Sequence, residues 1–131
     1  MRRIKDEKAL TRVEMEVMNI IWDYAEGVTT RDIQAAYPEP QPAYSTLATY
    51  MKILTEKGFI SPRKKEESSK TLLFVPIISR EEYTNHFMKE VKESFFGNSF
   101  KSMLSFFARQ EDLSEEELKK IMTIINKQSK R

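Results

Sequence analysis

The sequence has 131 residues and contains no cysteine, one histidine and three glycines. The lack of cysteine excludes disulfides and thiolate metal sites, and it favours a reducing cytoplasm as the setting of the protein. A single histidine, His86, is too few for a histidine-based metal site, and no glycine-rich phosphate loop occurs. We therefore expect no metal, no cofactor and no enzymatic activity.

Long apolar runs are also missing. The first residues, MRRIKDEKALTRVEME, contain no apolar segment of the kind that a signal peptide requires. No stretch of the chain approaches the roughly 18 apolar residues of a membrane span. We expect a cytoplasmic protein without membrane insertion.

The net charge of +2 conceals an uneven distribution of charged residues. Residues 52–80 contain seven Lys or Arg against three Glu, whereas residues 110–117 read QEDLSEEE. A basic middle segment favours a polyanionic partner for that segment. Many charge runs of this kind are only solvated surface, so the pattern alone decides nothing.

The first part of the chain predicts two helices before residue 40. Thr11 and Glu14 form a capping box, apolar residues follow at helical spacing, and Gly27 ends the helix. A second, shorter helix covers about Thr30 to Ala36. Prolines at positions 38, 40 and 42 end it and stiffen the turn that follows.

The segment QPAYSTLATYMKILTEKGFI, residues 41–60, predicts a third helix with two different faces. Leu47, Met51 and Leu54 cluster on one side at about 100° per residue and indicate a core face. The opposite side is small, polar or basic, where an ordinary surface helix carries long charged side chains. Beyond Gly58, two strands at Phe59–Arg63 and Thr71–Val75 are joined by the polar loop KKEESSK and predict a hairpin.

The second part of the chain predicts three further helices. Ser79 with Glu82 and Ser114 with Glu117 form capping boxes, and a short, very apolar segment, NSFKSMLSFFARQ, lies between the two helices that they begin. We predict two domains, residues 1–77 and residues 78–131.

The predicted element order is that of a winged helix, a variant of the helix-turn-helix. We therefore expect a mainly α protein, with an N-terminal winged helix-turn-helix domain, a wing of two or three strands, and a three-helix C-terminal dimerisation region. The third helix takes the recognition role in the major groove, and the hairpin is the wing. Short hydroxyl side chains let the helix approach the bases, whereas long acidic chains would repel phosphate. The predicted DNA-binding residues are Tyr44, Ser45, Thr46, Ala48, Thr49, Lys52, Lys64, Lys65 and Lys70. The alternative is a winged-helix protein-interaction module without sequence-specific DNA binding.

Three segments resemble the penicillinase-repressor family (the BlaI/MecI/CopY group). They are EMEVMNIIWDY at residues 14–24, PAYSTLATYMKILTEKGFI at residues 42–60 and EDLSEEELKKIMTIINK at residues 111–127. The resemblance extends from about Leu10 to Lys127. It implies a repressor that binds double-stranded palindromic operators as a homodimer through its C-terminal helices.

The composition of the C-terminal helices agrees with a homodimer. Their apolar surface is more than about 50 residues can bury alone, and a symmetric dimer suits a palindromic site. The alternative is that the aromatic cluster is the core of a single helical subdomain. The predicted dimerisation residues are Phe87, Val91, Phe95, Phe100, Leu104, Phe107, Leu118, Ile121 and Ile125.

The resemblance also implies a membrane sensor or protease as a partner that relieves repression. The copper-responsive branch of the family has a cysteine-rich tail, and this sequence has no cysteine. In the β-lactam-responsive branch an Asn-Phe bond is cut. Alignment on EDLS places Phe106-Phe107 at that position, and no Asn-Phe pair occurs in this sequence. The sequence leaves the releasing signal, the target genes and the operator sequence open.

Overall fold

The computed structural model of the protein describes residues 9–24 and 26–129. Within these residues the chain forms six α-helices and one two-stranded antiparallel sheet. In chain order the elements are α1 (Arg12–Trp22), α2 (Thr30–Ala36), α3 (Tyr44–Glu56), β1 (Ile60–Lys64), β2 (Leu72–Pro76), α4 (Arg80–Phe95), α5 (Phe100–Gln110) and α6 (Glu115–Ser129). The predicted order of three helices, a hairpin and three further helices is confirmed.

The predicted capping boxes begin the helices in which they were expected. In α1 the Glu14 N–H donates to Thr11 Oγ1 at 3.3 Å, and the Thr11 N–H donates to a Glu14 carboxylate oxygen at 2.9 Å. These two bonds satisfy donors that a helix otherwise leaves without a partner. The same arrangement begins α4 with Ser79 and Glu82, and α6 with Ser114 and Glu117.

The end of α1 differs from the prediction. The helix ends at Trp22 and not at Gly27, since the Asp23 N–H already bonds the Ile20 carbonyl at 3.1 Å, a spacing that tightens the last turn. Gly27 belongs to the extended segment that follows. Its φ is 105°, and a Cβ at this position would lie 3.1 Å from Val75 Cγ1. Gly27 therefore permits a close approach to the hairpin in a left-handed conformation.

The hairpin pairs β1 with β2, and Pro62 lies opposite Phe74. Both strands lie one residue further along the chain than predicted. Val28 adds one isolated bridge: its N–H donates to the Phe74 carbonyl at 3.1 Å, and the Phe74 N–H donates to the Val28 carbonyl at 2.7 Å. The sheet therefore has two strands and a single bridging residue.

One compact unit of the chain ends at His86 and contains the buried core. The predicted core stripe of α3, formed by Leu47, Met51 and Leu54, is at most 1% exposed. Burial of each such side chain stabilises the fold by about 1.5–3 kcal/mol. The other apolar core residues are Val17, Met18, Ile21, Val28, Ile33, Phe59, Ile60, Phe74, Ile78 and Tyr83.

The first turn of α4 belongs to this core. Tyr83 is 4% exposed, and its ring centroid lies 5.7 Å from that of Phe59 and 6.2 Å from that of Trp22. The Leu10 N–H donates to the Tyr83 hydroxyl at 2.9 Å. Compact packing therefore continues past residue 77 into α4, and the two compact units divide between His86 and Phe87. The predicted domain ranges also include residues 1–8, 25, 130 and 131, which lie outside the described residues.

The second compact unit begins at Phe87 and has a different character. None of residues 87–127 has a buried side chain. Phe96, Phe106 and Phe107 form a small aromatic cluster, with ring centroids 5.4–6.3 Å apart. Aromatic pairs at such distances stabilise one another modestly, but they leave much apolar surface in contact with water.

Candidate nucleic-acid interface

The outward face of α3 consists of short or basic side chains. Ser45, Thr46, Thr49 and Lys52 are exposed, and Ala48 is half-buried. The core stripe lies on the opposite side of the same helix. The structure therefore brings Ser45, Thr49 and Lys52 together on one accessible face, with the other predicted residues of α3, Tyr44, Thr46 and Ala48, to either side of it.

Thr49 has a specific hydrogen-bonding state on this face. Its hydroxyl donates to the Ser45 carbonyl one turn earlier, at 3.1 Å. The donor proton is thereby occupied within the helix, while the acceptor capacity of the oxygen and the methyl group of this exposed side chain remain available. In this state Thr49 offers an acceptor and an apolar contact rather than a donor, which suits a base edge better than a phosphate.

The beginning of α3 also favours an anion. The N-cap residue, Ala43, makes no side-chain hydrogen bond to the helix, and the first turn of α3 contains no acidic residue. The N–H groups of the first turn, which includes Tyr44 and Thr46, have no acceptor within the helix. Together with the helix dipole, these N–H groups attract negative charge.

A cleft of about 730 Å³ lies between the beginning of α2, the outward side of α3 and the hairpin. Three basic residues line it, Arg31 on α2, Lys52 on α3 and Lys70 before β2, against one acidic residue, Glu56. The cleft is therefore electropositive, although its floor contains apolar side chains. The remaining lining residues are Thr29, Thr30, Tyr44, Ala48, Met51, Thr55, Pro62, Thr71, Leu72 and Phe74.

Arg31 is a cleft residue that the sequence did not indicate. Its guanidinium lies over the Tyr44 ring, with Cζ 5.1 Å from the ring centroid. Arg31 is the only Lys or Arg between Arg12 and Lys52, and this isolation was the one available signal. Arg31 stands next to Asp32 and outside the basic segment of residues 52–80, so the charge distribution along the sequence did not single it out.

The three predicted hairpin lysines, Lys64, Lys65 and Lys70, are all exposed and are called the wing lysines below. Lys64 ends β1, and the Lys65 N–H donates to the Thr71 carbonyl at 3.3 Å, so the loop continues the pairing of the strands. Lys70 lies at the cleft, whereas Lys64 and Lys65 are not part of its lining. The hairpin therefore presents cations at two places.

One cation of the basic segment has a structural role instead. Lys57 Nζ donates to a Glu14 carboxylate oxygen at 2.7 Å, and the Glu14 side chain is only 5% exposed. Burial alone would raise the pKa of Glu14, but hydrogen bonds from Lys57 and Thr11, with the Lys57 charge, outweigh burial and lower this pKa. Lys57 is thus held in an ion pair between α1 and the end of α3.

Some other kinds of site receive no support within the described part of the chain. Among residues 9–24 and 26–129, no group of three or more His, Asp or Glu side chains is placed to hold a metal ion. Over the same residues, every helix is too short or too polar to cross a membrane.

The predicted dimerisation residues are apolar, and each of them is exposed or half-buried. The phenylalanines among them are 43–77% exposed: Phe87, Phe95, Phe100 and Phe107. The aliphatic residues are half-buried: Val91, Leu104, Leu118, Ile121 and Ile125. Phe106, Met122 and Ile124, which are 39–59% exposed, add to the apolar surface of this unit. The unit therefore exposes far more apolar area than isolated surface residues do.

The sequence is similar to those of known transcriptional regulators. The sequence model of the penicillinase repressor family matches residues 10–127. The methicillin resistance regulatory protein MecI of Staphylococcus aureus is 27% identical over 118 residues, which are 90% of this chain and 94% of the relative. The MecI proteins of Staphylococcus epidermidis and Mammaliicoccus sciuri match with the same identity and coverage.

Solved structures show the fold. A mutant of MepR from a multidrug-resistant S. aureus clinical isolate superimposes with a TM-score of 0.55 at 17% identity, covering 95% of this chain and 81% of that chain. A second S. aureus MepR mutant, bound to an oligodeoxyribonucleotide, gives a TM-score of 0.51 at 17% identity, covering 96% and 78%. These likenesses confirm the winged-helix fold. With the family match over residues 10–127, the chain belongs to the penicillinase repressor family, a family of transcriptional repressors.

Proposed function

We propose that the protein is a DNA-binding transcriptional repressor that acts as a homodimer on a palindromic operator. In this proposal α3 enters the major groove and the hairpin lies on the phosphate backbone as a wing. The observation that carries the proposal is the outward face of α3, which is exposed, short in its side chains and bordered by an electropositive cleft. Family membership supports the same function.

The outward face of α3 has the properties that a groove-reading helix needs. Ser45 and Thr49 are short enough to let the helix backbone approach the base edges, and Lys52 supplies a positive charge on the same side. The first turn adds unpaired N–H donors without a competing carboxylate. A protein partner would not require this combination of small side chains and positive surroundings.

The homodimer rests on the second compact unit. A unit whose described residues 87–127 include no buried side chain lacks a core of its own, and association with a second copy would bury its exposed phenylalanines. A two-fold dimer also places two recognition helices in a symmetric arrangement, which a palindromic operator matches.

Fluorescence anisotropy of the purified protein tests the proposal. A duplex from the region upstream of its own gene and a scrambled duplex are titrated at two salt concentrations. We expect a preference of about 10³-fold or more for the specific duplex, weaker binding at high salt, and one dimer per duplex. Equal, salt-insensitive binding of both duplexes would instead support an interaction module. A genome-wide recovery of bound fragments then distinguishes a remote operator from no operator.

Release from DNA by a sensor or protease partner completes the proposal. Phe106-Phe107, the pair to which the family resemblance assigns the position of the cut Asn-Phe bond, lies within α5, and its side chains are 39% and 43% exposed. A protease acts on extended backbone, so cleavage here requires α5 to unwind locally. Immunoblots of cells before and after induction of the target genes test this step. A shortened chain supports proteolysis, and a full-length chain on derepressed genes refutes it.

A further inference from the structure

We propose that the cleft between α2, α3 and the hairpin is a binding site for a phosphodiester of one DNA strand, and that Arg31 is its third cation. Tyr44 is then a positioning residue, because its ring holds the Arg31 guanidinium. This inference rests on the proposed DNA-binding function and goes beyond it. It assigns a ligand to a site that includes α2 and gives Tyr44 a role other than direct contact.

The residues that line the cleft give it a positive charge. The cations of the cleft come from three separate elements, α2, α3 and the segment before β2, and a single carboxylate, that of Glu56, faces them. Three lining cations against one lining carboxylate give the cleft a net positive charge, which attracts an anion such as a phosphate. Phosphate contacts of this kind fix the register of a protein on a duplex without reading its sequence.

The Arg31 side chain is held in position by its contact with Tyr44. Arg31 is exposed, and a free arginine side chain on a surface would sample many rotamers. The Tyr44 ring, whose centroid lies 5.1 Å from Arg31 Cζ, restricts the movement of the guanidinium, and both residues line the cleft. Stacking on a ring face leaves the in-plane N–H groups of a guanidinium available. The planar guanidinium can then donate two parallel hydrogen bonds to a phosphate. Lys52 and Lys70 act as point charges beside it.

The experiment measures duplex affinity and its salt dependence for the full chain. Arg31→Ala should weaken binding to specific and scrambled duplexes alike, by about tenfold or more, the value of one charge-assisted hydrogen bond. It should also reduce the slope of log affinity against log salt by about 0.9, the value of one phosphate contact. Arg31→Lys retains the slope and recovers part of the affinity, because the charge remains but the planar donor pair is lost.

Arg12→Ala is the matched control. It removes the same charge from an exposed position on α1, and no residue of α1 lines the cleft. We expect the wild-type affinity and slope for this variant. Circular dichroism confirms that each variant is folded. An Arg31→Ala protein with wild-type affinity and slope would overturn the assignment of Arg31, while DNA binding by the wild type would still stand.

A double-mutant cycle tests Tyr44 separately. Tyr44→Phe retains the ring and should therefore lose less affinity than Tyr44→Ala does. Tyr44→Ala should lose about two- to fivefold in affinity in the wild-type background and nothing further in the Arg31→Ala background. An equal loss in both backgrounds would show that Tyr44 contacts DNA directly and would overturn its positioning role. A wild type without salt-sensitive DNA binding would overturn the proposed function and this inference together.

Discussion

Replacing Lys57 by alanine should destabilise the first compact unit by about 2 kcal/mol at neutral pH. The substitution removes the 2.7 Å hydrogen bond to Glu14 and a longer bond, at 3.4 Å, to the Ala9 carbonyl. The Glu14 carboxylate, whose side chain is 5% exposed, then keeps only its hydrogen bonds from Thr11.

The magnitude follows from how far each partner is removed from water. Exposed ion pairs contribute about 0–1 kcal/mol, and breaking a fully buried pair costs about 3–5 kcal/mol. Here the carboxylate is buried but the Lys57 side chain is 24% exposed, so water screens part of the interaction. A value between the two ranges, about 2 kcal/mol, is therefore expected.

The loss of stability caused by Lys57→Ala should depend on pH, which a loss of packing alone would not explain. The folded-state pKa of Glu14 lies below its ordinary value of 4.5. The stability that comes from the ionised carboxylate is therefore complete above that ordinary pKa and is lost as the pH falls through the folded pKa. The difference between wild type and Lys57→Ala should accordingly shrink in acid.

Urea denaturation followed by the fluorescence of Trp22 measures this difference at pH 7 and pH 3. Trp22 is the single tryptophan and donates its indole N–H to the Ile78 carbonyl at 2.9 Å within this unit. The midpoint should fall by about 1 M at pH 7, given typical urea slopes. Lys52→Ala, on the exposed face of the same helix, is the control and should leave the midpoint unchanged. A loss below about 0.5 kcal/mol, or an equal loss at both pH values, would refute the reasoning.

Thr49→Glu should abolish operator binding in anisotropy with an unchanged circular dichroism spectrum, because it places a negative charge in a groove that phosphates border; retained affinity would refute the docking of α3. Alanine at all three wing lysines should weaken binding to every duplex alike and flatten the salt slope, and an effect on one sequence only would make the wing a base reader. Phe107→Asp should shift sedimentation towards the monomer, whereas an unchanged dimer would exclude Phe107 from the interface. Burial and the 2.6 Å hydrogen bond to Glu16 raise the pKa of Tyr37 to about 12. Glu16→Gln should lower this pKa towards 10.0 in a titration followed by phenolate absorbance, and Tyr37→Phe identifies which part of the signal comes from Tyr37.

Local features of the fold were predictable from the sequence. A capping box such as that of Thr11 and Glu14 joins residues three apart, and the stripe of Leu47, Met51 and Leu54 repeats at the helical period. Both patterns depend only on neighbouring residues, so no knowledge of the tertiary structure was needed. The face opposite the stripe followed from the same geometry.

Features that depend on distant contacts were not predictable. Lys57 counted as part of a basic segment, but it is paired with Glu14, 43 residues away in sequence. Arg31 reaches the cleft only because α2 packs beside α3, and its stacking partner, Tyr44, lies on the other helix. Gly27 resembled a helix stop, and its actual constraint is the approach of Val75 from the hairpin. In each case a second element supplied the decisive contact.

The lack of any buried side chain in residues 87–127 has a consequence for the amount of protein in the cell. If the second unit gains its core by pairing, its folding and its association are a single equilibrium, and the unfolding midpoint of this unit should rise with protein concentration. Dilution would then loosen the α5 and α6 region before it affects the first unit, whose core is complete in one chain. The concentration of dimer then falls more steeply than the total concentration of the protein. A modest fall in synthesis would therefore cause a large fall in operator occupancy, larger than for a protein that binds as a monomer.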